Sequence, residues 1–170
     1  MKILDYGCAK GYIVKALRIL GIEAYGVDVS EYAISKVDND CKVYCQLVKG
    51  TSDPIIYEQN FDWLISKDVF EHMPEDHIVD LLIRTKNNVL NMFIVVPLAA
   101  DDSSGKYIIP EYDKDITHII AKSSSWWRNL FEENGWQVLD EVNVFPGCKE
   151  NWTKTFPNGN AFFKLKNTAI

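Results

Sequence analysis

The sequence has no long hydrophobic run and no leading signal segment. Its longest apolar stretch, Met92 to Ala100, is interrupted by Pro97 and is too short to cross a membrane. Met1 and Lys2 run directly into a β-prone segment, whereas a signal peptide would place a basic and then an apolar region there. These absences predict a cytoplasmic protein with no membrane partner.

An excess of basic residues is also missing. The 170 residues include 18 Lys and Arg against 24 Asp and Glu, a net charge of −6, and no block of like charges. Because nucleic-acid surfaces need clustered Lys and Arg, this balance disfavours a nucleic-acid partner. Oligomeric state is not readable from the sequence.

No pair of cysteines has CxxC spacing. The cysteines are Cys8, Cys41, Cys45 and Cys148, and the three histidines lie far from them in sequence. Four reduced, mostly buried thiols are therefore expected, and no metal site is predicted.

Alternating strand and helix patterns fill most of the chain. Predicted strands cover residues 2–6, 23–27, 42–45, 61–66, 91–96, 136–142 and 161–165; predicted helices cover 12–20 and begin near 31, 75 and 124. This order predicts an α/β fold: a three-layer, Rossmann-like, doubly wound sheet that is mostly parallel. The last two strands have no predicted helix between them, which indicates a closing antiparallel hairpin. Segments 97–122 and 143–160 read as irregular loops.

The first strand ends in a glycine-bearing turn, Asp5-Tyr6-Gly7-Cys8-Ala9-Lys10-Gly11, which leads directly into a helix. Glycine lets a ligand lie against the backbone, and the helix amino terminus offers free N–H groups. Asp28 ends the second strand, where a carboxylate can accept hydrogen bonds from ribose hydroxyls. The loop lacks the G-x-G-x-x-G spacing of dinucleotide sites, and an acid before the first glycine suits an ammonium group better than a pyrophosphate.

These motifs resemble those of the class I S-adenosylmethionine-dependent methyltransferases. Residues 3–11 are similar to the family's L-D-x-G-C-G-x-G, and residues 25–30 to its G-x-D-x-S. Residues 61–72 look like F-D-x-V-x-S-x-x-V-L-E-H, and Asn134-Gly135-Trp136 resembles the N-G-F/W before the sixth strand. The resemblance implies one methyltransferase domain over residues 1–170 with S-adenosylmethionine as cofactor. Two departures are evident: Ala9 replaces the usual middle glycine, and the helices that normally precede the first strand are missing.

The resemblance also implies the cofactor contacts. Asp5, Gly7 and Gly11 would lie near the methionine end, and Asp28 would hold the ribose. The full set of expected cofactor-binding residues is Asp5, Gly7, Cys8, Ala9, Gly11, Asp28, Val29, Lys67 and Asp68.

A hydroxyl acceptor would also need a base, and His118, Asp115 and His72 are the candidate catalytic residues. The D-x-T-H run at 115–118, followed by Trp126-Trp127, resembles methyltransferases that act on sugars or secondary metabolites. The leading hypothesis is therefore O-methylation of a small-molecule or sugar-like acceptor. A non-catalytic or truncated methyltransferase-like domain and a nucleotide-dependent oxidoreductase remain as alternatives. An occluded pocket beside Gly7 would favour the non-catalytic alternative.

Overall fold

The computed structural model describes residues 1–101 and 104–169 as a seven-stranded sheet with helices on both faces. The strands are β1 (Lys2–Tyr6), β2 (Glu23–Asp28), β3 (Cys45–Leu47), β4 (Phe61–Lys67), β5 (Val89–Pro97), β6 (Trp136–Val142) and β7 (Asn160–Asn167). The helices are α1 (Tyr12–Ile19), α2 (Glu31–Ser35), α3 (Glu75–Thr85), α4 (Ser124–Glu133) and α5 (Glu150–Thr155).

The strand order is β3-β2-β1-β4-β5-β7-β6. β1 pairs in parallel with β2 and β4, while β7 lies antiparallel between β5 and β6. The predicted fold class, including the closing antiparallel hairpin, is confirmed. The strand order reverses between β1 and β4: the chain continues from β1 to β2 on one side and from β4 to β5 on the other. Such a reversal opens a crevice at the carboxyl ends of the strands.

Side-chain alternation along the central strands sorts the core into two layers. Leu4 and Leu64 face a large core that includes helix residues Leu81, Trp127 and Phe131, each at most 2% exposed. The opposite face packs a smaller cluster around Ile3 and Val14 with Cys8, Cys41 and Cys45. Trp127 is fully buried in the larger of these two layers.

Two local predictions were wrong. Residues 42–44 form a 3-10 turn rather than a strand, and β3 begins only at Cys45. The segment 143–160 contains α5, preceded by Lys149 in a left-handed conformation (φ +55°). Within the predicted loop 97–122, residues 110–114 form a 3-10 turn; residues 102 and 103 lie outside the described part of the chain.

The cysteines behave as expected. All four are free, and Cys148 is the one that is not fully buried. Within residues 1–101 and 104–169, no helix combines the length and the apolar character needed to span a membrane.

Candidate active site

The turn after β1 is fixed against β2 and β4. The N–H groups of Gly7 and Cys8 both donate to the carbonyl of Val27, at 2.8 and 3.0 Å. Gly7 has φ +81°, and a Cβ built there would lie 2.3 Å from a methyl carbon of Val69. Both the backbone conformation and the close approach of Val69 therefore require glycine at this position.

Asp28 connects this turn to the end of β2. Its Oδ2 accepts a hydrogen bond from the Ala9 N–H at 2.8 Å, and its Oδ1 accepts one from the Ser30 N–H at 2.8 Å. Each carboxylate oxygen keeps further acceptor capacity. Asp28 is thus held rigidly by backbone donors while it still offers acceptors to a ligand.

A smaller cavity of about 310 Å³ opens beside this turn. Five of the expected cofactor-binding residues line it: Gly7, Ala9, Asp28, Val29 and Asp68. Its remaining lining is mainly apolar: Tyr6, Val27, Val48, Val69, His72 and Met73. Gly7 and Asp28 therefore border one open cavity, and the pocket beside Gly7 is not occluded.

Four other expected cofactor-binding residues do not line the smaller cavity. Cys8 packs into the small core cluster, and Gly11 begins α1 at φ +73° with the Cys45 sulfur 2.9 Å from where its Cβ would lie. Lys67 lies in a neighbouring cavity. Asp5 is buried behind the turn, with 2% of its surface exposed.

The environment of Asp5 is unusual for a carboxyl group. Its Oδ2 is buried and has no hydrogen-bond partner among the residues that the structure describes. Burial, helped by the nearby Asp28 carboxylate, raises the pKa of Asp5 to about 7, although Lys67 opposes the shift. A positively charged group near this carboxyl would be favoured, because it would stabilise the ionised form.

A larger cavity of about 840 Å³ adjoins the first, and Asp68 and His72 line both. Its wall comes from the end of β4, from the 3-10 turn at 110–114 with the residues after it, and from the start of α5. The lining residues are Lys67, Asp68, Glu71, His72, Glu111, Tyr112, Asp115, His118, Gly147, Cys148, Lys149, Glu150, Asn151 and Trp152. Ligands bound in the two cavities could therefore contact each other beside Asp68 and His72.

The three candidate catalytic residues come together in this wall. The rings of His72 and His118 are 4.6 Å apart between centroids, and Asp115 Oδ2 lies 3.7 Å from His118 Nε2. Thr117 links the group further, since its hydroxyl donates to Asp115 Oδ1 at 2.6 Å and lies 3.0 Å from His72 Nδ1. Residues 45 positions apart thus form one polar cluster.

Backbone carbonyls fix the orientation of both imidazoles. His118 Nδ1 lies 2.9 Å from the carbonyl oxygen of Tyr112, and His72 Nδ1 lies 3.2 Å from that of Thr117. A carbonyl only accepts, so each Nδ1 carries the proton and each Nε2 keeps its lone pair. In the neutral form of each imidazole, the lone pair is therefore on Nε2.

Glu71 also lines this cavity, although its sequence context does not distinguish it from an ordinary turn acid. It is 1% exposed, and within residues 1–101 and 104–169 its buried Oε2 has no hydrogen-bond partner. Burial, with a contribution from the Asp68 carboxylate, raises the pKa of Glu71 to about 8. Its carbonyl accepts hydrogen bonds from the N–H groups of Ile119 and Ile120, which tie the 115–120 segment to the end of β4.

Lys149 is a second residue of this cavity wall that the sequence did not reveal. Its Nζ contacts Asp68 Oδ1 and lies 2.8 Å from Asn160 Oδ1 and 3.1 Å from the hydroxyl of Tyr112. Burial lowers the pKa of Lys149, but the Asp68 carboxylate outweighs it and the net shift is upward. Lys67 Nζ pairs with the other Asp68 oxygen at 2.6 Å, so Asp68 is held between two ammonium groups.

Backbone strain concentrates in the same place. In the described part of the chain, the non-glycine residues with positive φ are Ala9 (+47°), Asp68 (+57°) and Lys149 (+55°). Each lines one or both cavities. Such conformations cost on the order of 1 kcal/mol each and persist at functional sites where the surrounding structure enforces them.

The family described as "Methyltransferase domain" matches residues 1–141 of this chain. Comparison with curated proteins finds no significant match in sequence.

Solved structures share the fold at low identity. The mitomycin 7-O-methyltransferase MmcR has a TM-score of 0.68 and 14% identity over 98% of this chain and 48% of its own, so this chain spans about half the length of that protein. A putative methyltransferase in complex with the Haloferax volcanii Trm112 activator gives 0.73 and 15%, over 99% and 82%. Magnesium protoporphyrin IX methyltransferase ChlM from Synechocystis PCC 6803, with bound SAH, gives 0.69 and 13%, over 98% and 74%.

The strand order, the glycine turn facing Asp28 and the match over residues 1–141 agree with one another. The chain belongs to the class I S-adenosylmethionine-dependent methyltransferase family.

Proposed function

We propose that this chain transfers a methyl group from S-adenosylmethionine, bound in the smaller cavity, to an oxygen atom of a small-molecule or sugar-like acceptor in the larger cavity. The observation that carries the proposal is the shared wall: Asp68 and His72 border both cavities. A donor and an acceptor would meet there, and methyl transfer needs only close, in-line approach.

The residues around the smaller cavity fit this cofactor. Asp28 has spare acceptors for the two ribose hydroxyls, and the apolar side chains of Val29 and Val48 suit an adenine ring. Asp5 supplies a buried, unpartnered carboxylate oxygen behind the turn. An ammonium group carried into the cavity would favour its ionised form. When bound, the cofactor supplies an activated methyl group on a sulfonium, so the protein itself needs no redox chemistry.

The larger cavity supports an oxygen acceptor. His118 and His72 both keep an Nε2 lone pair, and a lone pair of this kind can take the proton of an acceptor hydroxyl. Asp115 Oδ2 lies 3.7 Å from His118 Nε2 and borders the same cavity. The cavity is wide enough for a drug-sized or sugar-sized molecule. MmcR, one of the proteins similar in fold, is itself named as an O-methyltransferase acting on mitomycin.

The cofactor site is tested by calorimetric titration with S-adenosylhomocysteine. Asp28→Ala removes two charge-assisted hydrogen-bond acceptors, and we expect affinity to fall by at least about 100-fold. Asp38→Ala is the matched control, because Asp38 is an exposed acid that pairs with Lys15 outside both cavities. Equal affinity of wild type and Asp28→Ala would refute the assignment of the smaller cavity.

The acceptor class is tested by the release of S-adenosylhomocysteine in the presence of phenols, sugars and amines. Transfer to hydroxyl compounds, with kcat reduced by about 10²–10⁴-fold in His118→Ala, is the expected result. Transfer to amines alone would contradict an oxygen acceptor. Absence of transfer despite tight cofactor binding would favour the non-catalytic alternative.

A further inference from the structure

Glu71, His72 and His118 form a compact set of three donor groups in the wall of the larger cavity. One ligand atom from each, a carboxylate oxygen and two imidazole nitrogens, lies within 4.8 Å of the other two. Four protein or solvent ligands around a zinc ion at about 2.1 Å stand about 3.4 Å apart. A small inward rotation of the three side chains would therefore close the set around one ion.

The surroundings of the histidines match those of metal ligands. Histidine ligands commonly donate the second ring N–H to a carbonyl or carboxylate, which fixes the tautomer and orients the other nitrogen. His118 and His72 both have such an arrangement, with the carbonyls of Tyr112 and Thr117 as acceptors. Both Nε2 lone pairs are consequently available for an ion.

Glu71 provides the second, independent observation. Its side chain is 1% exposed, yet Oε2 has no hydrogen-bond partner in the described part of the chain. A buried carboxylate oxygen without a partner costs free energy unless a cation or donor satisfies it. In the described part of the chain no salt bridge joins a lysine or arginine to Glu71, and Lys149, whose charge acts on Glu71, is engaged by Asp68, Asn160 and Tyr112.

We propose that Glu71, His72 and His118 bind one divalent transition-metal ion, of the Zn²⁺ or Co²⁺ type, which coordinates the acceptor oxygen. Two imidazoles and one carboxylate favour such ions over Mg²⁺ or Ca²⁺, which prefer oxygen ligands throughout. Three protein ligands leave a coordination position open toward the cavity, as in catalytic metal sites.

This proposal rests on the proposed function and changes the role of the histidines in it. They act through the ion rather than as bases. The ion withdraws electron density from a coordinated hydroxyl group, whose O–H bond breaks as its proton passes to water in the open cavity. The resulting oxygen anion forms the new O–C bond while the methyl–sulfur bond breaks, leaving a methyl ether and a neutral thioether. No oxidant or reductant is required.

The test measures metal binding without reference to activity. The full chain is freed of metal with a chelator, kept reduced, and titrated with CoCl₂ while visible absorption is recorded; ZnCl₂ is then added in competition. We expect one Co²⁺ per chain with d–d bands of a nitrogen- and oxygen-ligated ion, and displacement by Zn²⁺. Less than one equivalent at saturation would overturn the proposal.

Variants identify the ligands. His118→Ala and Glu71→Gln should each weaken Co²⁺ binding by at least about 100-fold, since even an outer-shell partner contributes about 10–100-fold. Glu71→Gln has the same shape as glutamate and serves as the variant that keeps the fold, which circular dichroism verifies. His77→Ala is the control, because His77 is an exposed histidine on α3 outside the cluster.

A spectroscopic result could also place the bound ion at a different site. An intense near-ultraviolet thiolate band would assign the ion to the cysteines, since Cys41 and Cys45 lie 3.9 Å apart between sulfurs, and would overturn the proposal.

Asp28→Ala separates the metal proposal from the proposed function: it should lose S-adenosylhomocysteine binding but keep Co²⁺ binding. If wild type binds S-adenosylhomocysteine but not Co²⁺, the metal proposal fails and the proposed function stands. If it binds Co²⁺ but not S-adenosylhomocysteine, the proposed function fails.

Discussion

Asp5 is predicted to make the stability of this protein strongly dependent on pH. Its pKa is about 7 in the fold, against 3.8 for an unperturbed aspartate, because the carboxyl is buried and faces Asp28. The contribution of neutral Asp5 to the free energy of unfolding is fully present below pH 3.8 and is lost as the pH rises through 7. A shift of about 3 pKa units corresponds to about 4 kcal/mol in total, of which about 2.5 kcal/mol falls between pH 5 and pH 8.

The perturbation is Asp5→Asn, which has nearly the same shape and cannot ionise. Urea unfolding followed by tryptophan fluorescence at pH 5 and pH 8, under reducing conditions, gives the free energy of unfolding of each variant. The advantage of Asp5→Asn over wild type should grow by about 2.5 kcal/mol between the two pH values. For a chain of this length that corresponds to about 5–10 °C in Tm.

Other ionisable groups interact with Asp5, so the difference between the two variants is more informative than the pH curve of either one. Asp28, Lys67 and the thiols of Cys8 and Cys45 all interact with Asp5. Asp140→Asn, an exposed position on β6, is the control and should show no such growth. Parallel stability curves for wild type and Asp5→Asn across this range would refute the reasoning.

Three further substitutions test the site and the core. Gly7→Ala should abolish measurable cofactor binding and destabilise the fold by at least about 2 kcal/mol, because the new Cβ meets Val69 at 2.3 Å and the backbone has φ +81°. Val69→Ala in the same chain should restore part of the stability. Lys149→Met removes the buried partner of Asp68 and should cost about 3 kcal/mol in thermal unfolding. Trp127→Ala should cost about 3–5 kcal/mol in urea unfolding, because the indole is fully buried.

Each of these has a result that would count against it. Failure of Val69→Ala to rescue Gly7→Ala would leave the positive φ, rather than the clash, as the main cost. Unchanged stability in Lys149→Met would show that the contact with Asp68 is balanced by the cost of burying both charges. A loss below about 1 kcal/mol in Trp127→Ala would contradict its place in the core.

The sheet and the smaller cavity were predictable because their determinants are local. The turn at Gly7 and the acid at Asp28 follow directly from strand ends, and parallel strands bring those ends to one edge. The strand at 91–96 was recognisable as a continuous apolar run, because a central strand is covered on both faces.

The larger cavity could be predicted only in part, because its wall depends on contacts between distant segments. His72, Asp115 and His118 carried recognisable polar spacing, but Glu71 looked like an ordinary acid at the end of a strand. Its surroundings include Ile119 and Ile120, whose N–H groups bind its carbonyl from 48 residues or more away and cannot be read from the local sequence. Lys149 lay in a segment with no helical periodicity, and α5 has six residues, which is too short to give a clear pattern.

Different segments of the chain border the two cavities, and this has a consequence for redesigning the specificity of the protein. Residues 147–152 border the larger cavity and take no part in the smaller one. Under the proposed function, changes there are expected to alter which acceptor binds without altering the affinity for S-adenosylmethionine. Lys149 is the exception, because it forms an ion pair with Asp68, which borders both cavities. A substitution of Lys149 would therefore also alter the wall that the two cavities share.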